Sequence, residues 1–173
     1  MCPCELRIPL ALAMHAWPEP VERVAHVLRG AAVDARLEEL PATVSTAEAA
    51  ARALGCARGQ IVKSLVFVCD GKPVLVLVPG DRRADAARVA ASAAAERARV
   101  ATAVEVAAAT GFEPGGVAPF PQRAVTRTLI DRSFFAWETV WIGAGTAAHM
   151  AELAPAELQR LTSAVAVDLT GPG

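Results

Sequence analysis

Lys63 is one of two lysines in the chain, and its neighbours from Ile61 to Val68 are all apolar except Ser64. A second stretch, Thr110–Phe120, reads Thr-Gly-Phe-Glu-Pro-Gly-Gly-Val-Ala-Pro-Phe and packs three glycines and two prolines into eleven residues. Glycine lets another group approach the main-chain N–H groups closely, and proline holds the loop rigid. A lone cation in a strand, paired with a rigid loop of accessible amides, suits stabilisation of negative charge developing on oxygen. Each feature also has a plain structural reading. Lys63 could be a strand lysine whose stem packs on apolar surface while its charge reaches water. A glycine-proline cluster is often only an irregular turn.

No protein nucleophile stands out. The chain has no Gly-x-Ser-x-Gly elbow, and no serine, histidine and carboxylate fall into a triad-like pattern. His15, His26 and His149 lie far in sequence from both candidate blocks. Ser64 and Thr110 read first as sheet or capping hydroxyls. Asp131 reads as a turn or cap residue, or as a group that orients Lys63 or a substrate amine.

The elements that must position these residues alternate between helix and strand. Pro18-Glu19-Pro20 opens a helix with Val21, Val24, Ala25 and Leu28 on one face, stopped by Gly30. Val33–Leu40 alternates like a half-buried strand. Ser45-Thr46-Ala47-Glu48 reads as a capping box with Ser45 as N-cap, on a helix ending at Gly55. Ile61–Cys69 and Pro73–Val78 are strands joined by the hairpin signal Asp70-Gly71. Both are apolar on both faces, which puts the hairpin in the middle of a sheet. A helix at Asp85–Ala95, a short strand at Arg99–Ala101 and a helix at Val104–Thr110 follow. Strands at Ala124–Ile130 and Thr139–Ile142 come next, then a helix opened by Pro155 and a closing strand at Val165–Leu169.

This order predicts one compact mixed α/β (α+β) domain over residues 18–170, after a lead-in at 1–17. At 173 residues the chain is long enough for a genuine core, and 20% charged residues with 54% hydrophobic ones argue against disorder. The net charge of -1 excludes a general electrostatic footprint for nucleic acid, so such a partner would have to be gripped locally. Neither a membrane span nor a signal peptide is expected. Cys2 and Cys4 read as terminal cysteines without zinc spacing, and Cys56 and Cys69 as small core residues. A reduced, cytoplasmic protein follows, as a monomer or weak dimer with no metal or organic cofactor.

Several blocks together carry a resemblance from about Pro20 to Leu169. They are Val62-Lys63-Ser64-Leu65-Val66-Phe67, Asp70-Gly71-Lys72-Pro73-Val74-Leu75 and Val78-Pro79-Gly80-Asp81. Thr110-Gly111-Phe112, Pro119-Phe120, Ile130-Asp131 and Gly143-Ala144-Gly145-Thr146 complete them. In order and spacing they resemble the YbaK family, the prolyl-tRNA synthetase-associated editing domains that hydrolyse mischarged aminoacyl-tRNA. The element order and the resemblance together imply a curved, barrel-like, mixed and largely antiparallel sheet flanked by helices. It places the site lysine at Lys63 and the Gly-x-x-x-Pro loop at Gly115–Pro119. Related members often continue that loop with Gly-His or Gly-Leu, where this chain has Pro121-Gln122-Arg123.

On that resemblance the expected catalytic elements are Lys63 and Gly115. Ser64, Phe112, Gly116, Val117, Pro119 and Asp131 are expected to bind substrate. The substrate would be the acceptor end of a mischarged tRNA, of the Ala- or Cys-tRNA(Pro) kind, and a prolyl-tRNA synthetase is a candidate partner. An aminoacyl ester is already activated, so positioning and charge stabilisation suffice for attack by water. The competing expectation is a non-catalytic module that binds aminoacyl-tRNA ends or nucleotides and modulates a synthetase.

Overall fold

The computed structural model describes residues 16–171. Cys2, Cys4 and His15 lie outside the described residues. Helix α1 (Glu19–Gly30) follows an N-cap Pro18 and carries Pro20 in its first turn, where a missing N–H costs nothing, and buries Val21, Val24, Ala25 and Leu28. Strand β1 (Arg36–Glu39) is shorter than the alternating pattern suggests, although Val33 and Leu40 beside it are buried. Helix α2 (Ala47–Leu54) is capped by Thr46, whose hydroxyl accepts from the Ala49 N–H at 3.0 Å, and not by Ser45. That shift leaves Glu48 one position too early to reach back, and it faces Arg52 at 3.5 Å instead.

Strands β2 (Val62–Cys69) and β3 (Lys72–Pro79) form the expected hairpin. Asp70 and Gly71 hold φ values of 48° and 80°, the left-handed pair that a two-residue hairpin turn demands. Helix α3 (Ala86–Ser92) is capped by Asp85, and strand β4 (Ala98–Val100) follows. Helix α4 (Ala103–Thr110) starts with a reciprocal Thr102–Glu105 capping box and stops at Gly111, at φ 77°. Strands β5 (Arg127–Asp131), β6 (Val140–Gly143) and β7 (His149–Leu153), helix α5 (Pro155–Thr162) and strand β8 (Val165–Val167) complete the chain. The sequence reading misses β7. Four of its five residues are buried, so no polar alternation marks it.

The strands build two sheets and no closed barrel, which corrects the expected single barrel-like sheet. One sheet runs β4-β2-β3-β5-β8, with β2–β3 and β2–β4 antiparallel but β3–β5 and β5–β8 parallel. It is therefore a mixed sheet, as expected, and antiparallel pairs outnumber parallel ones once both sheets are taken together. The other sheet, β1-β7-β6, is antiparallel. Among the described residues, one isolated parallel bridge, Ile61–Trp141, joins the two. The expectation that the hairpin is central holds, since β2 and β3 each have two neighbours. The main core lies where α1, α5 and both sheets meet, around Val24, Leu28, Leu77, Ile130, Ile142 and Leu158.

The gap between the sheets has a local cause. Strand β4 is only three residues long and pairs with β2 from Phe67 to Cys69. The N-terminal half of β2 thus lacks a ladder neighbour on that side, and a cleft occupies the space.

Candidate active site

The cleft measures about 560 Å³. Its walls come from the first half of β2, the N-terminus of α2, the glycine loop after α4, and the β6–β7 turn. Lys63, Ser64, Gly115 and Val117 line it together, although about fifty residues separate the two pairs.

Lys63 is half-buried, and its Nζ donates to the main-chain carbonyl of Arg82. Burial pushes its pKa down, because the neutral amine loses less on leaving water. The Arg83 and Arg58 guanidiniums push the same way, and Asp81 opposes them. The ammonium thus stands in a cationic neighbourhood at one end of the cleft.

Ser64 presents two unused groupings. Its Oγ is buried without a hydrogen-bond partner among the described residues. Its main chain also faces an open edge. Ile61 accepts from the Gly80 N–H, so Ile61, Lys63 and Leu65 bond toward β3. The alternate residues point the other way, where Val66 O accepts from the Ala101 N–H. Ser64 is the next residue on that edge, and β4 does not extend to it. Among the described residues no base is hydrogen-bonded to its hydroxyl, so nothing there activates it as a nucleophile.

The glycine loop reaches the cleft through close backbone contacts. Gly115 holds φ 89°, and a Cβ there would meet open space. Gly116 donates its N–H to Glu113 O at 3.0 Å, so that amide is spent within the turn. A Cβ on Gly116 would lie 2.8 Å from the Thr146 Cα, which docks the loop on the β6–β7 turn. Among the two glycines, Gly115 is the one that leaves an open approach to the cleft.

Phe112 and Pro119 lie elsewhere. Phe112 is buried in the main core, with the Arg23 guanidinium 4.6 Å from its ring centroid. Arg23 also donates to Gly111 O at 2.9 Å, so this cluster ties the start of the loop to α1. Pro119 borders a separate cavity of about 500 Å³ with Phe120, Pro121 and Gln122. Gln122 donates to Ala118 O at 2.7 Å, closing that segment on itself. Asp131 is buried at the end of β5. One carboxylate oxygen takes the Ser133 N–H at 3.0 Å, and the other takes the Leu169 N–H at 3.0 Å. It serves as a double main-chain cap, outside the cleft.

His149 is the cleft residue that sequence reasoning passed over. It starts β7, is 5% exposed and borders the cleft. Its Nδ1 lies 2.6 Å from Thr146 Oγ1, which already accepts from the Ala148 N–H at 3.2 Å. The Thr146 hydroxyl thus links the imidazole to the main chain of the β6–β7 turn and fixes the ring's position. The Trp17 ring meets it edge-on at 5.6 Å. The signal was present as Gly143-Ala144-Gly145-Thr146, three residues upstream, but only the fold carries that turn to Lys63.

Comparison with known proteins agrees with this architecture. The sequence profile of the aminoacyl-tRNA editing domain matches residues 41–161. The chain belongs to the aminoacyl-tRNA editing domain family. A crystal structure described as "a putative trans-editing enzyme for prolyl tRNA synthetase" superposes on this editing domain with TM-score 0.85 at 34% identity, covering 91% of this chain and 100% of that one. The Enterococcus faecalis protein named "Putative Cys-tRNA(Pro)/Cys-tRNA(Cys) deacylase EbsC" is 26% identical over 72% of this chain and 77% of its own length. A proline–tRNA ligase of Nitratidesulfovibrio vulgaris is 35% identical over 56% of this chain, which corresponds to 17% of the ligase.

Among the described residues, no helix is long and apolar enough to cross a membrane, and no group of three or more His, Cys, Asp or Glu residues is arranged to hold a metal. Cys56 and Cys69 are free thiols, the second of them buried.

Proposed function

We propose that this editing domain is a trans-acting deacylase that hydrolyses the ester between an amino acid and the terminal ribose of a mischarged tRNA. The observation that carries the reading is the meeting of Lys63 and Ser64 with Gly115 in one cleft. Lys63 holds the terminal phosphate or a ribose hydroxyl as a point charge. The Ser64 hydroxyl and main-chain carbonyl accept from the substrate ammonium. The Gly115 N–H faces the ester carbonyl as it becomes an oxyanion, a contact whose loss typically costs about 2.7–4 kcal/mol.

Water is the nucleophile. It adds to the ester carbonyl, the bond from acyl carbon to ribose oxygen breaks, and a proton from the water ends on the ribose oxygen. A neighbouring ribose hydroxyl or the amino-acid side chain assists. The products are free amino acid and uncharged tRNA, released in the cytoplasm where charging takes place. The substrate is a small residue on tRNA(Pro), alanine or cysteine. A synthetase pocket gains only about 1–3 kcal/mol per methylene, so a smaller intruder needs a second sieve. Val117 and His149 are the walls of this cleft best placed to limit side-chain size.

A panel of charged tRNAs tests the reading. Release of amino acid from at least one mischarged tRNA, abolished by Lys63→Ala in a folded protein, is the expected result. Binding of tRNA with every ester intact would replace the enzyme by a non-catalytic binding module. Neither binding nor release would overturn both.

A further inference from the structure

Several exposed arginines of this protein are held by carboxylates: Arg29 by Glu22, Arg52 by Glu48, Arg99 by Glu105 and Arg160 by Glu157. Arg58, Arg82 and Arg83 are exposed and carry no ion pair among the described residues. These three come from two segments that the fold presses together beside Lys63. A Cβ on Gly80 would lie 2.8 Å from the Arg58 carbonyl, and a Cβ on Gly59 would lie 3.4 Å from the Asp81 carboxylate. Lys63 itself reaches across to the Arg82 carbonyl. The result is a cluster of four cations and Asp81 in which Lys63 lines the cleft while Asp81, Arg82 and Arg83 line the neighbouring pocket.

Unpaired like charges gathered at one place repel one another, so this cluster does nothing for the fold. The whole chain carries a net charge of only -1, which makes the positive rim a local feature. We infer that Arg58 and Arg83 form a phosphate rail that grips the single-stranded 3′ tail of the tRNA where it leaves the cleft. The inference rests on the deacylase reading for its direction, since an ester seated in the cleft leaves its upstream phosphodiesters to cross this rim. Arg83 follows Arg82, whose carbonyl Lys63 reaches, and the Arg58 carbonyl packs against Gly80 in the same hairpin end, so both stand beside Lys63.

The test uses uncharged tRNA binding, and turnover of a charged tRNA beside turnover of an aminoacyl-adenosine that has no phosphates. The proteins are the unaltered chain, Arg58→Ala/Arg83→Ala, the charge-keeping Arg58→Lys/Arg83→Lys, and Lys72→Ala as a control. Lys72 is an exposed cation at the far end of β3 from Gly80. The double alanine variant should weaken tRNA binding and raise KM for charged tRNA about tenfold at low salt. Its log–log salt dependence should lose about 1.4 in slope, at about 0.7 for each single-strand phosphate released. The lysine variant should recover most of the slope, and the loss should be confined to substrates that carry phosphates.

An unchanged salt slope overturns the rail. An equal loss on aminoacyl-adenosine does too, because the arginines would then serve the cleft itself. So does normal tRNA binding combined with lost affinity for an acidic protein such as a synthetase surface. If the unaltered chain binds tRNA but cleaves no ester, the deacylase reading fails while the binding slope still decides the rail.

Discussion

The carbonyl oxygen of Val117 lies 2.6 Å from the point that a Cβ on Gly143 would occupy. The glycine loop and the start of the β6–β7 turn are therefore seated backbone to backbone, and the wall of the cleft depends on a missing side chain. Gly143→Ala should push the loop away. Overpacking of this kind typically costs about 1–3 kcal/mol. Thermal unfolding and deacylation measured together should both fall. Gly30→Ala is the contrast, since nothing lies within 4 Å of its added methyl, and it should leave both intact.

Thr146 and His149 supply a second expectation. The threonine hydroxyl holds the imidazole ring through the 2.6 Å contact. Thr146→Val keeps the shape and removes that hydrogen bond, which is worth about 0.5–1.5 kcal/mol to stability. The larger effect should appear in kcat/KM, because the imidazole wall of the cleft is no longer held in place. Thr146→Ser should restore it. A valine variant with full activity would remove His149 from the working wall.

Lys63 makes a pH prediction with a definite sign. Burial holds its pKa below the ordinary lysine value. Activity that needs the ammonium should therefore decline on the alkaline side, earlier than an exposed lysine would allow. Stability moves the opposite way. The unfolded chain binds this proton more tightly than the folded one, so stability rises as pH climbs through the folded pKa toward the unfolded value. Lys63→Met should accordingly raise Tm at neutral pH while abolishing turnover, and the gain in Tm should shrink at high pH. Paired melting curves at two pH values check it.

Asp131 should matter for folding and not for turnover. Its removal strands the buried Leu169 N–H and uncaps Ser133. An unsatisfied buried donor costs about 1–3 kcal/mol. Asp131→Ala should lower the denaturation midpoint by a matching amount, while activity per folded molecule stays unchanged.

Glu105 gives an acid-side counterpart. Hydrogen bonds from Arg99 and from the Thr102 N–H hold its pKa down to about 2. A carboxylate depressed in the fold adds stability that is present above its unfolded pKa and disappears as pH falls through the folded one. Glu105→Gln should flatten the acid limb of the stability curve, read by chemical denaturation across about pH 2 to 5, a range that spans the folded and unfolded carboxylate pKa values.

Local chemistry was legible in the sequence. Asp70-Gly71 dictates its hairpin because only such residues tolerate two successive positive φ angles. Pro18 and Pro20 start α1, and Gly55 and Gly111 stop α2 and α4, for equally local reasons. Lys63 and the glycine loop were conspicuous because a cation among apolar residues, and glycines among prolines, violate core composition. What needed the tertiary structure was every relation between distant segments. Phe112 and Pro119 sit in the same eleven-residue block as Gly115, yet they turn into the core and into another cavity. His149 looked remote and arrives at the cleft because β7 pairs with both β1 and β6. The barrel-like sheet is instead two sheets because β2 and β6 meet at an isolated bridge, Ile61–Trp141, rather than along a ladder, a pairing between distant strands that no periodicity could fix. Sequence patterns report which backbone conformations a residue permits; which surfaces then meet depends on packing among residues far apart in the chain, and that packing made the cleft.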